Sequence, residues 1–208
     1  MLGDDFFETS RGRIVGLLRG EPMTVDELAS KLQITSNAVR AQIAPMERDG
    51  LVERVASRGT TRPAHVYGLT VDAQKLLSRA YIPFLTQLVR VFTNALPAWE
   101  VERFMREAGR ALAEALAVAP NVAETVQSRV ERASELLNRE LGAITHVENG
   151  DRYRIRGAGC PLAPITGKHP AVCLAIEGLV TEAVGVQAHE CCDRDGPPHC
   201  CFEIPLEH

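Results

Sequence analysis

The sequence has no long apolar run and no large excess of positive charge. No stretch approaches the ~20 apolar residues of a membrane-spanning helix, and the acidic amino terminus is too short in apolar run for a secretory signal. We therefore expect a cytoplasmic protein with no membrane partner, in a compartment where stable disulfides are rare. The formal net charge of −4 argues against a wholly basic nucleic-acid protein. The length of 208 residues allows two small domains.

Cysteine is missing from the first 159 residues, and all six cysteines lie in the last 49. None of them forms the close C-x2–4-C pair of zinc ribbons and fingers. Because the cysteines are confined to one region and none contributes to a core elsewhere, they indicate a metal or metal–sulfur site rather than a role in packing. Buried inert thiols and a metal-free redox sensor are the alternatives.

The first seventy residues follow the order helix, turn, helix, hairpin. A short amphipathic helix ends near Gly20, and Thr24 with Glu27 forms the pattern of a capping box for a second helix. A third helix is predicted from about Ser36 to Asp49, and strands at 51–54 and 65–69 flank a small, polar segment. Pro45 lies inside the third helix, where we expect a kink or a tightened last turn.

This order predicts a winged helix-turn-helix, with the third helix in the major groove of DNA and the hairpin over the adjacent backbone. Residues 31–79 carry eight positive and four negative charges, which suits contact with phosphates. The segment resembles the bacterial winged-helix repressors of the ArsR and DeoR type. The candidates for base contacts are Asn37, Arg40 and Gln42. The candidates for phosphate contacts are Thr35, Ser36, Arg58 and Arg62.

Residues 80–140 contain three amphipathic stripes with proline or capping residues between them. Small residues around Gly109 allow close approach of helices, either within one chain or between two. We expect this region to form a homodimer, because two winged helices reading a near-palindromic site gain affinity over one.

The cysteine-bearing end predicts a small α+β domain. Asn149-Gly150 marks one hairpin, Cys160 follows in a glycine-rich loop, and a helix over 170–184 carries Cys173 in its first turn. A second hairpin carries the pairs Cys191–Cys192 and Cys200–Cys201. Successive side chains on a strand face opposite ways, so we expect one member of each pair to face the site.

The winged helix followed by Cys160-x12-Cys173-x27-Cys201 resembles SufR, the family of iron–sulfur repressors of cluster-assembly operons. The resemblance implies a [4Fe–4S] cluster in a homodimer, with Cys160, Cys173 and Cys201 as ligands. Cys192 is the nearest candidate for the fourth ligand, and water, a small molecule or His199 are alternatives. The ending Cys192-x3-Gly196-x3-Cys200-Cys201 also resembles ligand-sensing domains of the 4-vinyl-reductase type. There Cys200 is the aligned residue, so Cys200 and Cys201 compete.

The sequence thus predicts an α+β protein with a winged helix-turn-helix over 1–79, a helical dimerisation region over 80–140 and a cysteine-rich sensor domain over 141–208. We expect a homodimeric DNA-binding repressor of cluster-assembly genes that senses its own iron–sulfur cluster. The alternative is a winged-helix repressor that senses zinc or a small ligand. An enzyme is disfavoured because GxGxxG, P-loop, GxSxG and HExxH motifs are absent.

Overall fold

The computed structural model describes residues 4–58, 63–192 and 199–206. It divides into two compact units, which meet in the sequence between Arg79 and Ala80. As predicted, the fold class is α+β. No helix in the described ranges is long and apolar enough to span a bilayer.

The amino-terminal unit contains five helices and a three-stranded sheet among its described residues. Their bounds are α1 Asp4–Glu8, α2 Ser10–Leu18, β1 Met23–Thr24, α3 Val25–Leu32, α4 Ser36–Arg48, β2 Val52–Arg58, β3 Ala64–Leu69 and α5 Val71–Leu77. The core consists of the apolar faces of these helices and of β3, including the fully buried Ile14, Leu28, Val39 and Met46.

Threonine hydroxyls cap four of these helices. Each hydroxyl accepts a hydrogen bond from the backbone N–H three residues further on, which satisfies a donor that the helix itself leaves free. The capping residues are Thr9, Thr24, Thr35 and Thr70. The predicted capping box is present, because the Thr24 N–H donates to Glu27 at 2.7 Å. That bond and the Thr24 hydroxyl lower the pKa of Glu27.

The turn between α3 and α4 is short because Gln33 adopts the left-handed conformation (φ 56°) that ends α3. Helix α4 then runs through Pro45 to Arg48, so Pro45 does not end it. The sheet order is β1-β3-β2, with β2 and β3 antiparallel and a register shift between Arg54 and Ala56. The tip of the predicted wing, residues 59–62, lies outside the described ranges.

Among its described residues, the carboxy-terminal unit contains five α-helices, a 3-10 turn and a four-stranded antiparallel sheet. The bounds are α6 Tyr81–Ala95, α7 Ala98–Ala115, α8 Val126–Leu141, β4 Thr145–Asn149, β5 Tyr153–Gly157, α9 Ala163–Thr166, a 3-10 turn Pro170–Val172, α10 Cys173–Val184, β6 His189–Glu190 and β7 Cys201–Ile204. The sheet order is β4-β5-β7-β6. The core combines side chains of α7, α8, α10 and the sheet, so the helical middle and the cysteine-bearing end share their interior.

Helices α7 and α10 cross at two glycines. A Cβ atom on Gly109 would lie 2.0 Å from the Ala175 carbonyl oxygen, and one on Gly178 would lie 2.6 Å from the Arg106 carbonyl oxygen. Only hydrogen fits between the two backbones at these points. At Gly109, the close helix packing that the sequence predicted therefore occurs within one chain.

We predict that Gly109→Ala destabilises the protein by about 1–3 kcal/mol, since the added methyl group overpacks the crossing. The matched control is Gly16→Ala in α2, where the nearest atom to a new Cβ is 4.0 Å away. That change should be neutral or stabilising by up to about 1 kcal/mol, because alanine favours helix over glycine. Urea denaturation followed by circular dichroism compares the two, and equal stabilities would contradict the close crossing.

Candidate metal site and nucleic-acid interface

Four cysteines of the carboxy-terminal unit line one small cavity: Cys160, Cys173, Cys192 and Cys200. None of the four is in a disulfide. The rest of the wall is largely apolar and includes Leu137, Ile176 and Phe202. Thiols from a loop, a helix and two strand ends thus converge in a site with little access to water.

Cys160 and Cys173 lie at the two ends of the segment that connects β5 to α10. Cys160 is half-buried in the loop after β5, and its Sγ lies 3.8 Å from the Thr166 hydroxyl of α9. Cys173 is the first residue of α10 and is buried. The amino terminus of a helix favours negative charge, so this position suits a thiolate.

Cys192 follows β6, and its sulfur accepts a hydrogen bond from the Cys201 N–H at 3.3 Å. The hydrogen bond with Cys173 lowers the pKa of Cys192, but the hydrogen bond with Cys200 and burial raise it to about 12. Without metal, this thiol therefore stays protonated at neutral pH, and metal binding there must release a proton.

Cys200, rather than Cys201, faces the cavity. Cys200 and Phe202 line the site, whereas Cys201 and Glu203 do not; these two line a second cavity, which Cys200 also borders. Cys201 is joined to Cys191 in a disulfide. The structure thus differs from the expected set of Cys160, Cys173, Cys192 and Cys201 in its last member, because side chains alternate along β7.

Gly157 makes room for Cys200. A Cβ atom on Gly157 would lie 3.2 Å from the Cys200 Cβ, and the Gly157 N–H donates to the Cys200 carbonyl at 2.8 Å. His199, an alternative for the fourth ligand, is exposed and lines the second cavity instead.

Glu190 also belongs to the site, which sequence reasoning missed. Ligand atoms of Cys173, Glu190 and Cys192 all lie within 4.8 Å of one another. The signal was present in the sequence, since Glu190 is two residues before Cys192 and residues two apart on a strand share a face.

Buried Glu177 holds β6 against α10. Its carboxylate accepts from the Glu190 N–H at 2.8 Å and from Arg106 Nε of α7 at 2.9 Å. Glu177 is only 5% exposed, so the arginine offsets a charge that burial alone would disfavour. A continuous chain of polar contacts therefore links α7 to the strand that carries Glu190.

The donor set fits a metal centre. Four ligands drawn from these thiols and the Glu190 carboxylate suit zinc, and three or four thiolates from separated segments suit an iron–sulfur cluster. Cys173, Glu190 and Cys192 could hold a metal ion, since their ligand atoms lie within 4.8 Å of one another, and Cys160 and Cys200 line the same cavity as the two cysteines.

On the amino-terminal unit, α4 presents an exposed face opposite its buried residues Val39, Ile43 and Met46. Asn37 and Arg40 lie on this face, and Gln42 is half-buried beside it. Arg40 lies 3.4 Å from the Asn37 Oδ1, so the two side chains project together.

Three of the four residues predicted to contact phosphate are engaged in contacts within the chain. Thr35 caps α4 with its hydroxyl, and the Ser36 hydroxyl donates to Asp26 at 2.6 Å. Arg58 at the end of β2 pairs with Glu27 at 2.7 Å, and DNA contact would have to break or share that pair. Arg62 lies outside the described residues.

Residues 9–55 match a family model described as a helix-turn-helix domain. The amino-terminal unit therefore contains the module of DNA-binding transcriptional regulators, which is not an enzyme domain. The match covers α2 through the first residues of β2.

Likeness to solved structures is weak. Three are structures of MepR from Staphylococcus aureus. A mutant from a multidrug-resistant clinical isolate is 22% identical over 52% of this chain and 78% of that chain, with a TM-score of 0.30. A mutant bound to an oligodeoxyribonucleotide is 23% identical over 53% of this chain and 85% of that chain (TM-score 0.32), and MepR described as a regulator of the multidrug efflux pump MepA is 20% identical over 51% and 78% of the two chains (TM-score 0.29). Scores at this level carry no argument about this chain. No curated protein matches it.

Proposed function

We propose that this chain is a homodimeric DNA-binding repressor whose carboxy-terminal unit senses an iron–sulfur cluster. The observation that carries the proposal is the convergence of Cys160, Cys173, Cys192 and Cys200 on one cavity, in a chain that also contains a helix-turn-helix domain. As the resemblance to SufR implies, the proposed targets are genes of iron–sulfur cluster assembly.

DNA reading is assigned to the exposed face of α4. Asn37 and Arg40 lie where a recognition helix meets base edges, and their side chains offer the bidentate contacts that distinguish adenine and guanine. Thr35 and Ser36 at the start of the helix suit phosphate contacts.

Arg40→Ala should weaken binding to the specific site by about 1–3 kcal/mol, which is the usual value of one bidentate base contact. Fluorescence anisotropy measures this on an operator selected from random DNA. Arg139→Ala, an exposed arginine of α8 in the other unit, is the control and should bind as the parent does. Equal affinity of both variants would remove α4 from the interface.

The dimer is assigned to α6. In the described structure this helix buries none of its 15 residues, and Arg90 is its only charged residue. Phe84, Val91 and Phe92 are 66%, 58% and 45% exposed. An apolar surface of this kind is characteristic of a protein interface. We assign it to a second copy of the chain, because a palindromic site is bound by two DNA-binding domains.

Leu88→Glu places a charge in the middle of this apolar surface and should convert the dimer to a monomer at micromolar concentration. Light scattering after gel filtration gives the mass. The control is the neighbouring Gln87→Glu, an exposed polar position, which should leave the dimer intact. A Leu88→Glu dimer would place the interface elsewhere.

The cluster is assigned to the four converging thiols. When bound, it would hold the loop of Cys160, the start of α10 and the β6–β7 hairpin together. Since α10 crosses α7 at Gly109 and Gly178, a fixed α10 fixes the helical part of the unit. Loss of the metal would loosen this part and lower DNA affinity, with a coupling of about 1–3 kcal/mol.

Cys173→Ser should lose both the visible absorption of anaerobically prepared protein and the tight DNA affinity. Cys200→Ser should do the same. Cys201→Ser should keep the colour, because of these two neighbours Cys200 lines the cavity and Cys201 does not. Absorption spectra with iron and sulfide counts decide this. Tight DNA binding by colourless Cys173→Ser protein would contradict the sensor role.

Zinc is the second candidate, and two observations favour it. Glu190 adds an oxygen ligand beside Cys173 and Cys192, and the cavity has a volume of only about 10 Å³. A single ion fits such a space, whereas a cubane requires the walls of the cavity to move apart. The same spectra separate the two, since a colourless protein with one zinc per chain identifies zinc.

A further inference from the structure

The two faces of the β6–β7 hairpin carry two different sets of sulfur atoms. Cys192 and Cys200 line the inner cavity, and their neighbours Cys191 and Cys201 are joined in a disulfide on the outer face, beside a cavity that Cys200 also borders. The proposed metal site uses Cys192 and Cys200 and gives no role to Cys191 and Cys201.

The outer disulfide is open to small reagents. Cys191 is exposed, and both sulfur-bearing residues line a cavity of about 270 Å³ together with Arg154, Arg156 and His199. Exchange at a disulfide requires access to one of its sulfurs along an open path. The exposed Cys191 offers that access, while Cys201 is only 6% exposed.

The charges around this cavity are nearly balanced. Arg154 pairs with Glu203 at 2.7 Å, and Arg156 pairs with Glu148 at 3.1 Å. A strongly anionic ligand is therefore not selected. Arg156 pairs with Cys201 across the strands, which places a positive charge on the face that carries the disulfide, and a neighbouring positive charge favours a thiolate.

We propose that Cys191 and Cys201 form a thiol–disulfide exchange site for low-molecular-weight thiols, and that its state sets how firmly the inner thiols hold metal. The thiolate of a small thiol attacks Cys191 Sγ and forms a mixed disulfide, and the Cys201 sulfur leaves as a thiolate. A second small thiol then attacks the mixed disulfide. Overall, two small thiols become one small disulfide, and Cys191 and Cys201 become two thiols.

The coupling follows from the hairpin. The Cys191 N–H donates to the Cys201 carbonyl at 2.8 Å, and the Cys201 N–H donates to Cys192 Sγ at 3.3 Å. Opening the disulfide removes the covalent link beside these two hydrogen bonds. Cys192 and Cys200 then lose part of the support that fixes them, and support of this kind affects metal affinity. This second part of the proposal rests on the proposed metal function.

The exchange site is tested on the full chain without metal, in buffers of defined ratio of reduced to oxidised glutathione. Samples are equilibrated from both the reduced and the oxidised side, alkylated in acid-quenched aliquots and mapped by mass spectrometry. The expected result is one reversible transition that links Cys191 to Cys201 and leaves the other four cysteines alkylated. A bond that never forms, never opens, or joins an inner cysteine would overturn the proposal.

The coupling is tested by the rate at which a coloured chelator removes zinc. The parent protein in reducing buffer should release zinc roughly tenfold faster than in oxidising buffer. Cys191→Ser protein should release it at the fast rate in both buffers, and Cys201→Ser is the matched second variant. Equal rates in the parent overturn the coupling. If the protein takes up neither zinc nor iron, the proposed metal function fails, while the glutathione transition still decides the exchange site.

Discussion

The alternation of side chains along the β6–β7 hairpin is the constraint on which the carboxy-terminal unit depends. Because neighbours on a strand face opposite ways, each adjacent cysteine pair is divided between two surfaces. Phe202 and Ile204 are buried in the core, and this fixes the side to which Cys200 turns. Glu190 pairs with Phe202 across the strands, which brings its carboxylate to the same side. The burial of two apolar residues thus selects which thiols meet.

The site is connected to the helices by two kinds of contact. At the glycine crossing the backbones of α7 and α10 are in close contact, so even a small separation of the two helices would lose packing. Beside it, Arg106, Glu177 and the backbone of Glu190 form a chain of polar contacts from α7 to β6. A change in the ligands at Cys173 or Cys192 therefore acts on elements that already touch α7. This gives the proposed sensor a physical route from the thiols to the helical part of its own unit.

Local signals in the sequence predicted much of the amino-terminal unit. The capping box at Thr24 and Glu27, the buried positions of α4 and the strands of the wing all lie where short-range patterns placed them. These features depend on neighbours in sequence. Helix α4 also continues past Pro45, in agreement with the predicted range of Ser36 to Asp49.

The candidate site depended on contacts between distant segments, and the sequence determined less of it. Convergence of Cys160 with Cys173 was expected, but the choice of Cys200 over Cys201 required knowing which face of β7 meets the core. Glu190 was overlooked, although its place two residues before Cys192 on a predicted strand was a usable signal. The strand pairing places it opposite Phe202, on the face that meets the core. The disulfide on the outer face was likewise unexpected, because the sequence had predicted a compartment where stable disulfides are rare.

The most direct test of this account is a crystal structure of the anaerobically iron-loaded protein with anomalous data at the iron edge. The account predicts one iron-bearing centre per chain, bonded to the sulfurs of Cys160, Cys173, Cys192 and Cys200. Iron bound to Cys201, or iron only on the surface with the four thiols uncoordinated, would contradict it.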